Sequence, residues 1–145
     1  MIRRILAAVD DSSRATHVVA KAVEVARSMG ASIRLYHAVA IPPEFPPAAA
    51  TETGDPLPAH LNKLATERLR RLADDIKDVP CEILVEDSQQ APRSILNAAA
   101  MYGADLIVIG SHGYHLVDRL LGTTAAHVVN RSTRDVLVVA SLSRA

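Results

Sequence analysis

The sequence predicts a doubly wound α/β fold, in which helices cover both faces of one parallel sheet. Short apolar runs of strand length alternate with longer segments whose apolar side chains recur at i, i+3 and i+4. The segments between consecutive strands are too long for hairpins, which favours parallel pairing with right-handed crossovers. Hydrophobic residues make up 49% of the 145 residues and aromatic residues only 3%, so we expect one domain, residues 1–145, with an aliphatic core.

The first strand is predicted to stop at a polar turn, Asp10–Ser13, whose four residues are favourable helix N-caps. The following helix has an apolar face and ends at Gly30, a C-terminal cap. That face consists of Ala15, Val18, Val19, Ala22, Val23, Ala26 and Met29. The predicted strands span 2–9, 33–39, 81–85, 105–109 and 136–140. Two later helices are predicted at 59–77 and 125–131. Between them, a further helix is predicted to start between residues 87 and 92 and to stop at Gly103.

Residues 41–58 differ in composition from the rest of the chain. Six of the eight prolines fall in this segment, and proline at this density blocks both helix formation and strand pairing. We therefore expect an extended, mobile loop. The composition favours a tolerated surface insertion slightly over the alternative, a lid above the strand ends.

Charge and cysteine content exclude several classes of protein. Sixteen basic residues balance sixteen acidic ones, which argues against a nucleic-acid partner or an anionic membrane surface. The single cysteine, Cys81, excludes an internal disulfide and fits a reducing compartment. No apolar run approaches the length of a membrane span, so we expect no membrane insertion and a cytoplasmic location.

The segment Asp105–Ala126 carries the strongest functional pattern. An apolar strand stops at Gly110, a second glycine follows at Gly113, and Gly122-Thr123-Thr124 leads into a helix. Glycines allow the backbone to approach a phosphate, and a helix N-terminus supplies free N–H donors. If the first and fourth strands are neighbours, Asp10 faces the same crevice. The pattern predicts an anion cradle.

Other sites fit the pattern less well. No Gly-x-x-x-x-Gly-Lys-Ser/Thr or Gly-x-Gly-x-x-Gly motif is present, and no lysine lies near the glycines. His37, His112 and His115 lack a zinc-binding spacing, so His37 is predicted to be a packed strand residue. A Ser111/His112/Asp118 triad is less favoured, because Gly-x-Ser-x-Gly is absent.

The chain resembles the universal stress protein family over essentially its whole length. The resemblance is carried by Ile5–Ser12, by Ala104–Gly113 and by the ending Leu120–Ala125 followed by Asp135–Val139. It implies a five-stranded parallel sheet of order 3-2-1-4-5, and its nucleotide-binding members carry Gly-x2-Gly-x9-Gly-Ser/Thr and bind ATP. It also implies a homodimer formed by the last strand, Val136–Ala140, and an apolar edge strand does need covering.

By this resemblance, Asp10 would contact the ribose and the backbone of Ala38 would contact adenine. The phosphates would lie on Gly110, Gly113, Gly122, Thr123 and Thr124. The complete implied set is Ala8, Val9, Asp10, Ala38, Val39, Gln89, Gly110, Ser111, His112, Gly113, Gly122, Thr123 and Thr124. The implied ligands are ATP, or AMP or ADP, with Mg²⁺ held through the phosphates.

The sequence departs from the family pattern at three places. Eight residues, not nine, separate Gly113 from Gly122, Tyr114 replaces a basic residue, and Gln89 or a neighbour replaces a glycine. The leading hypothesis is an ATP-binding stress-response regulator that acts on an unidentified protein. Two alternatives remain: a nucleotide-free dimeric interaction protein, and a slow ATP hydrolase or autophosphorylating protein. With no lysine at the loop, no catalytic residue is predicted.

Overall fold

Strands and helices alternate throughout the computed structural model, which describes residues 1–40, 54, 56–111 and 121–140. In chain order the elements are β1 (Arg4–Ala8), α1 (Ala15–Met29), β2 (Ser32–Val39), α2 (Leu57–Asp74), β3 (Cys81–Asp87), α3 (Ala91–Tyr102), β4 (Leu106–Gly110), α4 (Thr123–Arg131) and β5 (Asp135–Val139). The strands form one sheet of order β3-β2-β1-β4-β5, and all four pairings are parallel. The predicted fold class and strand order are confirmed.

The central strand β1 is buried on both faces. Its residues alternate between an α1/α2 layer, which receives Ile5 and Ala7, and an α3/α4 layer, which receives Leu6 and Ala8. This alternation follows from the two-residue period of a strand. Because helices cover both faces, β1 reads as a continuous apolar run, and the run was the signal that predicted it.

Two helices end as their glycines predict. Gly30 and Gly103 follow α1 and α3 with φ of 66° and 71°, the left-handed conformation that side chains with a Cβ rarely adopt. At Gly103 a Cβ would also stand 3.0 Å from Arg4 Nη1. Met29, predicted on the apolar face of α1, is instead 49% exposed and is the last residue of the helix.

The prediction of a side-chain N-cap for α1 within residues 10–13 is wrong. The N-cap is Arg14, which makes no side-chain capping bond. Asp10 Oδ1 instead accepts hydrogen bonds from the Ser12 amide and hydroxyl, and Ser12 Oγ accepts one from the Arg14 amide. The hydrogen bonds of these short polar side chains therefore stabilise a local turn before the helix begins.

Several element boundaries differ from the prediction by two or three residues. Helix α2 begins at Leu57, since a proline is tolerated in a first helical turn, and it ends at Asp74. Residues 57–58 of the predicted loop are therefore helical, whereas 41–53 and 55 lie outside the described residues. Helix α4 begins at Thr123, so both threonines belong to its first turn.

Candidate functional site

The carboxyl edge of the sheet brings together residues that are distant in the sequence. Strand β1 lies between β2 and β4, with Ala8 opposite Tyr36 on one side and Ile109 on the other. Asp10 follows β1, Ala38 and Val39 end β2, and Gly110 ends β4. The neighbouring placement of the first and fourth strands, on which the predicted crevice depends, is therefore present.

The turn after β1 holds the Asp10 carboxylate in a fixed orientation. Asp10 Oδ1 accepts from the Ser12 amide at 2.9 Å and from the Ser12 hydroxyl at 2.6 Å. Oδ2 of Asp10 takes part in neither of these two bonds, and Asp10 is exposed. An ionised carboxylate with an available oxygen can accept hydrogen bonds from vicinal hydroxyls.

The two ends of the glycine-containing segment meet after β4. The Ser111 amide donates to the Val139 carbonyl at 2.9 Å, and the Gly122 amide donates to the Ser111 carbonyl at 3.2 Å. Gly110 and Gly122 are consequently held near each other at the end of β4. His112 and Gly113 lie outside the described residues, as do the remaining residues of the segment 112–120.

The N-terminus of α4 has no side-chain cap. Gly122 is the N-cap, and the first helical bond runs from the Ala126 amide to the Gly122 carbonyl at 2.9 Å. The amides of Thr123, Thr124 and Ala125 precede that bond, and no acidic residue lies in the first turn. Such an end carries partial positive charge and suits an anion. The Gly122 amide is already used by Ser111, so the donors that fit a phosphate are those after it.

Backbone bonds join the end of β2 to the ends of β1 and β3. The Val9 amide donates to the Tyr36 carbonyl at 2.8 Å, and the Ser88 amide donates to the Val39 carbonyl at 2.9 Å. The Ser88 hydroxyl then accepts from the Gln90 amide at 3.0 Å. Gln89 thus lies between Ser88, which is bonded to the last residue of β2, and Gln90, which is bonded to Ser88.

His37 and Arg68 contribute to this edge in a way that the sequence did not reveal. His37 is partly buried, and among the described residues its Nδ1 has no hydrogen-bond partner. Burial lowers its pKa, and Arg68 lowers it further, while Asp11 and Asp10 raise it. Arg68, predicted on a solvated helix face, is half-buried and lies within electrostatic range of His37.

The site predicted by the resemblance therefore has a described part and a part outside the described residues. Ala8, Val9, Asp10, Ala38, Val39, Gln89, Gly110, Ser111, Gly122, Thr123 and Thr124 all lie at the carboxyl edge of the sheet or in the turns that leave it. The switch point falls between β1 and β4, where doubly wound proteins place their ligands. In the part of the chain that the structure describes, no three His, Cys, Asp or Glu side chains form a metal-binding group. No helix among the described residues is both long and apolar enough to span a membrane.

These features define a doubly wound α/β protein whose candidate site lies at the carboxyl ends of β1 and β4. The model of the universal stress protein family matches residues 1–140. Universal stress protein A homolog 1 of Coxiella burnetii is 33% identical over 141 residues, covering 94% of this chain and 95% of that protein. The chain belongs to the universal stress protein family.

Solved structures share the fold. Hypothetical protein MJ0577 superposes with a TM-score of 0.80 at 21% identity, covering 99% of both chains. A universal stress protein in complex with cAMP has a TM-score of 0.64 at 23% identity, covering 96% of this chain and 97% of its own. The Archaeoglobus fulgidus protein in complex with dAMP has a TM-score of 0.60 at 23% identity, covering 95% and 98%. Some structural neighbours thus bind adenine nucleotides.

Proposed function

We propose that this protein is a stress-response regulator that binds ATP, or ADP or AMP, at the carboxyl edge of its sheet. The observation that carries the proposal is the uncapped N-terminus of α4, held beside β4 and across the switch point from the Asp10 carboxylate. The N-terminus of α4 suits a phosphate, and the Asp10 carboxylate suits ribose hydroxyls. The neighbours solved with cAMP and dAMP support an adenine nucleotide.

Each group would have a distinct role in binding. Asp10 would accept hydrogen bonds from the ribose hydroxyls through Oδ2, the carboxylate oxygen that takes part in neither bond to Ser12. The first-turn amides and hydroxyls of Thr123 and Thr124 would bind phosphate oxygens. The backbone of Ala38 and Val39, beside Gln89, would contact the base. Gly110, Ser111, His112 and Gly113 would complete the phosphate loop, as the resemblance implies.

Mg²⁺ would be bound mainly through the phosphates. Mg²⁺ is a cation that usually takes most of its ligands from nucleotide phosphates and water. The ion would neutralise phosphate charge, for which the sequence provides no lysine near the glycines.

Calorimetric titration with ATP, ADP, AMP and cAMP, preceded by extraction of any co-purified nucleotide, tests the proposal. Asp10→Asn should weaken ATP binding about tenfold or more, since a hydrogen bond to a charged group contributes about 1.5–3 kcal/mol. The variant should also reduce the preference for ATP over 2′-deoxy-ATP. Asp11→Asn is the matched control, with the same change of charge one residue away. Absence of binding below millimolar concentration would instead favour the nucleotide-free interaction protein.

The proposal includes a homodimer formed through β5. Strand β5 is an edge of the sheet, and Val136, Leu137 and Val138 remain partly exposed. A lysine on an edge strand disfavours pairing with a second strand. Val136→Lys should therefore shift sedimentation from dimer to monomer, whereas Val129→Lys, at a 40% exposed position of α4, should not. A monomeric wild-type protein would exclude this assembly.

A further inference from the structure

A second cleft lies at the opposite, amino-terminal edge of the sheet. It has a volume of about 540 Å³ and is bounded by the starts of β1, β2 and β3 and by the last turn of α3. Helix α3 packs on β2 and β1, whereas the helix packed on β3 is α2, on the other face. Among the described elements, the groove beside the end of α3 is thus left open over β2 and β3.

The cleft presents two arginines in fixed positions. The Arg34 guanidinium lies 4.3 Å from the centroid of the Tyr102 ring, and that of Arg4 lies 5.9 Å from it. Arg34 Nε and Nη2 donate to Glu82 Oε1 at 3.0 and 2.8 Å. Arg4 Nη1 donates to the Tyr102 carbonyl at 3.2 Å. Guanidinium groups held in this way lose little further freedom when they bind an anion.

The Tyr102 side chain is anchored as well, and an apolar residue stands beside it. Its hydroxyl lies 3.0 Å from Ser32 Oγ, which fixes the ring between the strand and the arginines. Met101 is 87% exposed at the rim. Arginine, tyrosine and methionine are among the residues enriched in protein interfaces. Burial raises the pKa of the Cys81 thiol in the same cleft, with a smaller contribution from Glu82, so the thiol stays protonated near neutral pH.

We propose that this cleft is a docking site for an acidic peptide segment of a partner protein. Two lining arginines face one glutamate, which leaves the cleft with an excess of positive charge for a carboxylate. Met101 supplies an apolar contact for a neighbouring aliphatic or aromatic side chain. A small carboxylate would bury too little of its surface in so open a cleft, since small ligands usually bury most of theirs. A peptide covers the arginines and Met101 together. This site is independent of the nucleotide proposal.

Selection of phage-displayed random peptides against the immobilised full chain tests the proposal. The expected peptides carry Asp or Glu within two positions of an aliphatic or aromatic residue. A fluorescein-labelled peptide of the selected sequence should bind Arg4→Gln and Met101→Glu about tenfold more weakly than wild type. Arg70→Gln, an exposed arginine of α2 outside the cleft, is the matched control and should stay within twofold.

Three outcomes would overturn it. The first is selection of no acidic sequence, and the second is equal peptide binding by wild type and Met101→Glu. Because Met101 is almost fully exposed, its substitution keeps the test valid even if Arg4→Gln perturbs folding. The third is displacement of the peptide by citrate or free glutamate at the peptide's own concentration, which would assign the cleft to a small carboxylate.

Discussion

Removal of the Tyr36 hydroxyl should stabilise the protein. Tyr36 is fully buried in the α3/α4 layer, and no described residue lies within hydrogen-bond distance of its hydroxyl, although Glu86 and Ser94 are near enough to influence its pKa. A buried, unsatisfied polar group costs about 1–3 kcal/mol, because it loses its bonds to water and gains none. Tyr36→Phe keeps the ring in place, so we expect the free energy of unfolding to rise by up to about that amount.

Tyr102→Phe provides the matched comparison. The Tyr102 hydroxyl is bonded to Ser32 Oγ at 3.0 Å, so its removal should lower the free energy of unfolding by about 0.5–1.5 kcal/mol. Urea denaturation followed by far-ultraviolet circular dichroism measures both variants with one probe. The two substitutions are chemically identical and should have opposite signs. Destabilisation by about 1 kcal/mol in Tyr36→Phe would refute the reasoning, since it would show that the hydroxyl is satisfied.

The same hydroxyl predicts behaviour at high pH. Burial, and secondarily the Glu86 carboxylate, raise the pKa of Tyr36 above its usual value of 10.0, while Ser94 opposes the shift. Above pH 10 the unfolded chain releases this proton and the folded chain keeps it, so stability falls as the pH rises. In Tyr36→Phe that part of the alkaline loss should disappear, which urea titrations between pH 9 and 11 would show. An unchanged slope would mean that Tyr36 does not titrate differently in the two states.

Three further perturbations follow from burial and from charge. Leu69→Ala, at a fully buried position of α2, should lower the free energy of unfolding by about 2–5 kcal/mol, whereas Leu64→Ala, 44% exposed on the same helix, should cost far less; equal losses in urea denaturation would contradict the assigned core. The lowered pKa of His37 means that the unfolded chain binds the proton first, so stability should decline as the pH falls below 6.5. In thermal melts from pH 5 to 7, His37→Gln should lose less stability with falling pH than the wild type does. An equally steep decline in the variant would contradict the prediction. The Arg3 and Arg4 amides hold the pKa of Asp105 below 3.8. The contribution of Asp105 to stability is therefore present above pH 3.8 and is lost at lower pH. Asp105→Asn should remove this acid-dependent part of the unfolding curve, and retention of it would locate the titrating group elsewhere.

Patterns local in sequence predicted the fold well. The strands are apolar runs because both sheet faces are covered. Gly30 and Gly103 end their helices because glycine adopts the left-handed conformation without the steric cost of a Cβ. The α1 cap failed because Asp10 and Ser12 can satisfy either a helix end or a turn, and spacing does not decide between them.

Contacts between distant residues could not be predicted. The sequence placed Asp10 and Gly110 on one edge, since parallel strands align their carboxyl ends. It could not show that Arg68 lies near His37, because the rotation of α2 over the sheet depends on packing. Likewise the Arg34–Tyr102 stacking joins a strand to a helix terminus far along the chain, and no periodic signal marks such a pair.

The eight-residue spacer between Gly113 and Gly122 bears on ligand geometry more than on folding. Loss of one residue changes the entropy of closing such a loop by only about 0.1 kcal/mol. If the spacer were all helix, the loss would turn the following residues by about 100°. Yet Gly122 is fixed as the N-cap of α4 through Ser111, and α4 is held by the buried Ala125 and Val128. The fold thus determines where Gly122 lies, and any constraint on spacer length must come from what the loop binds.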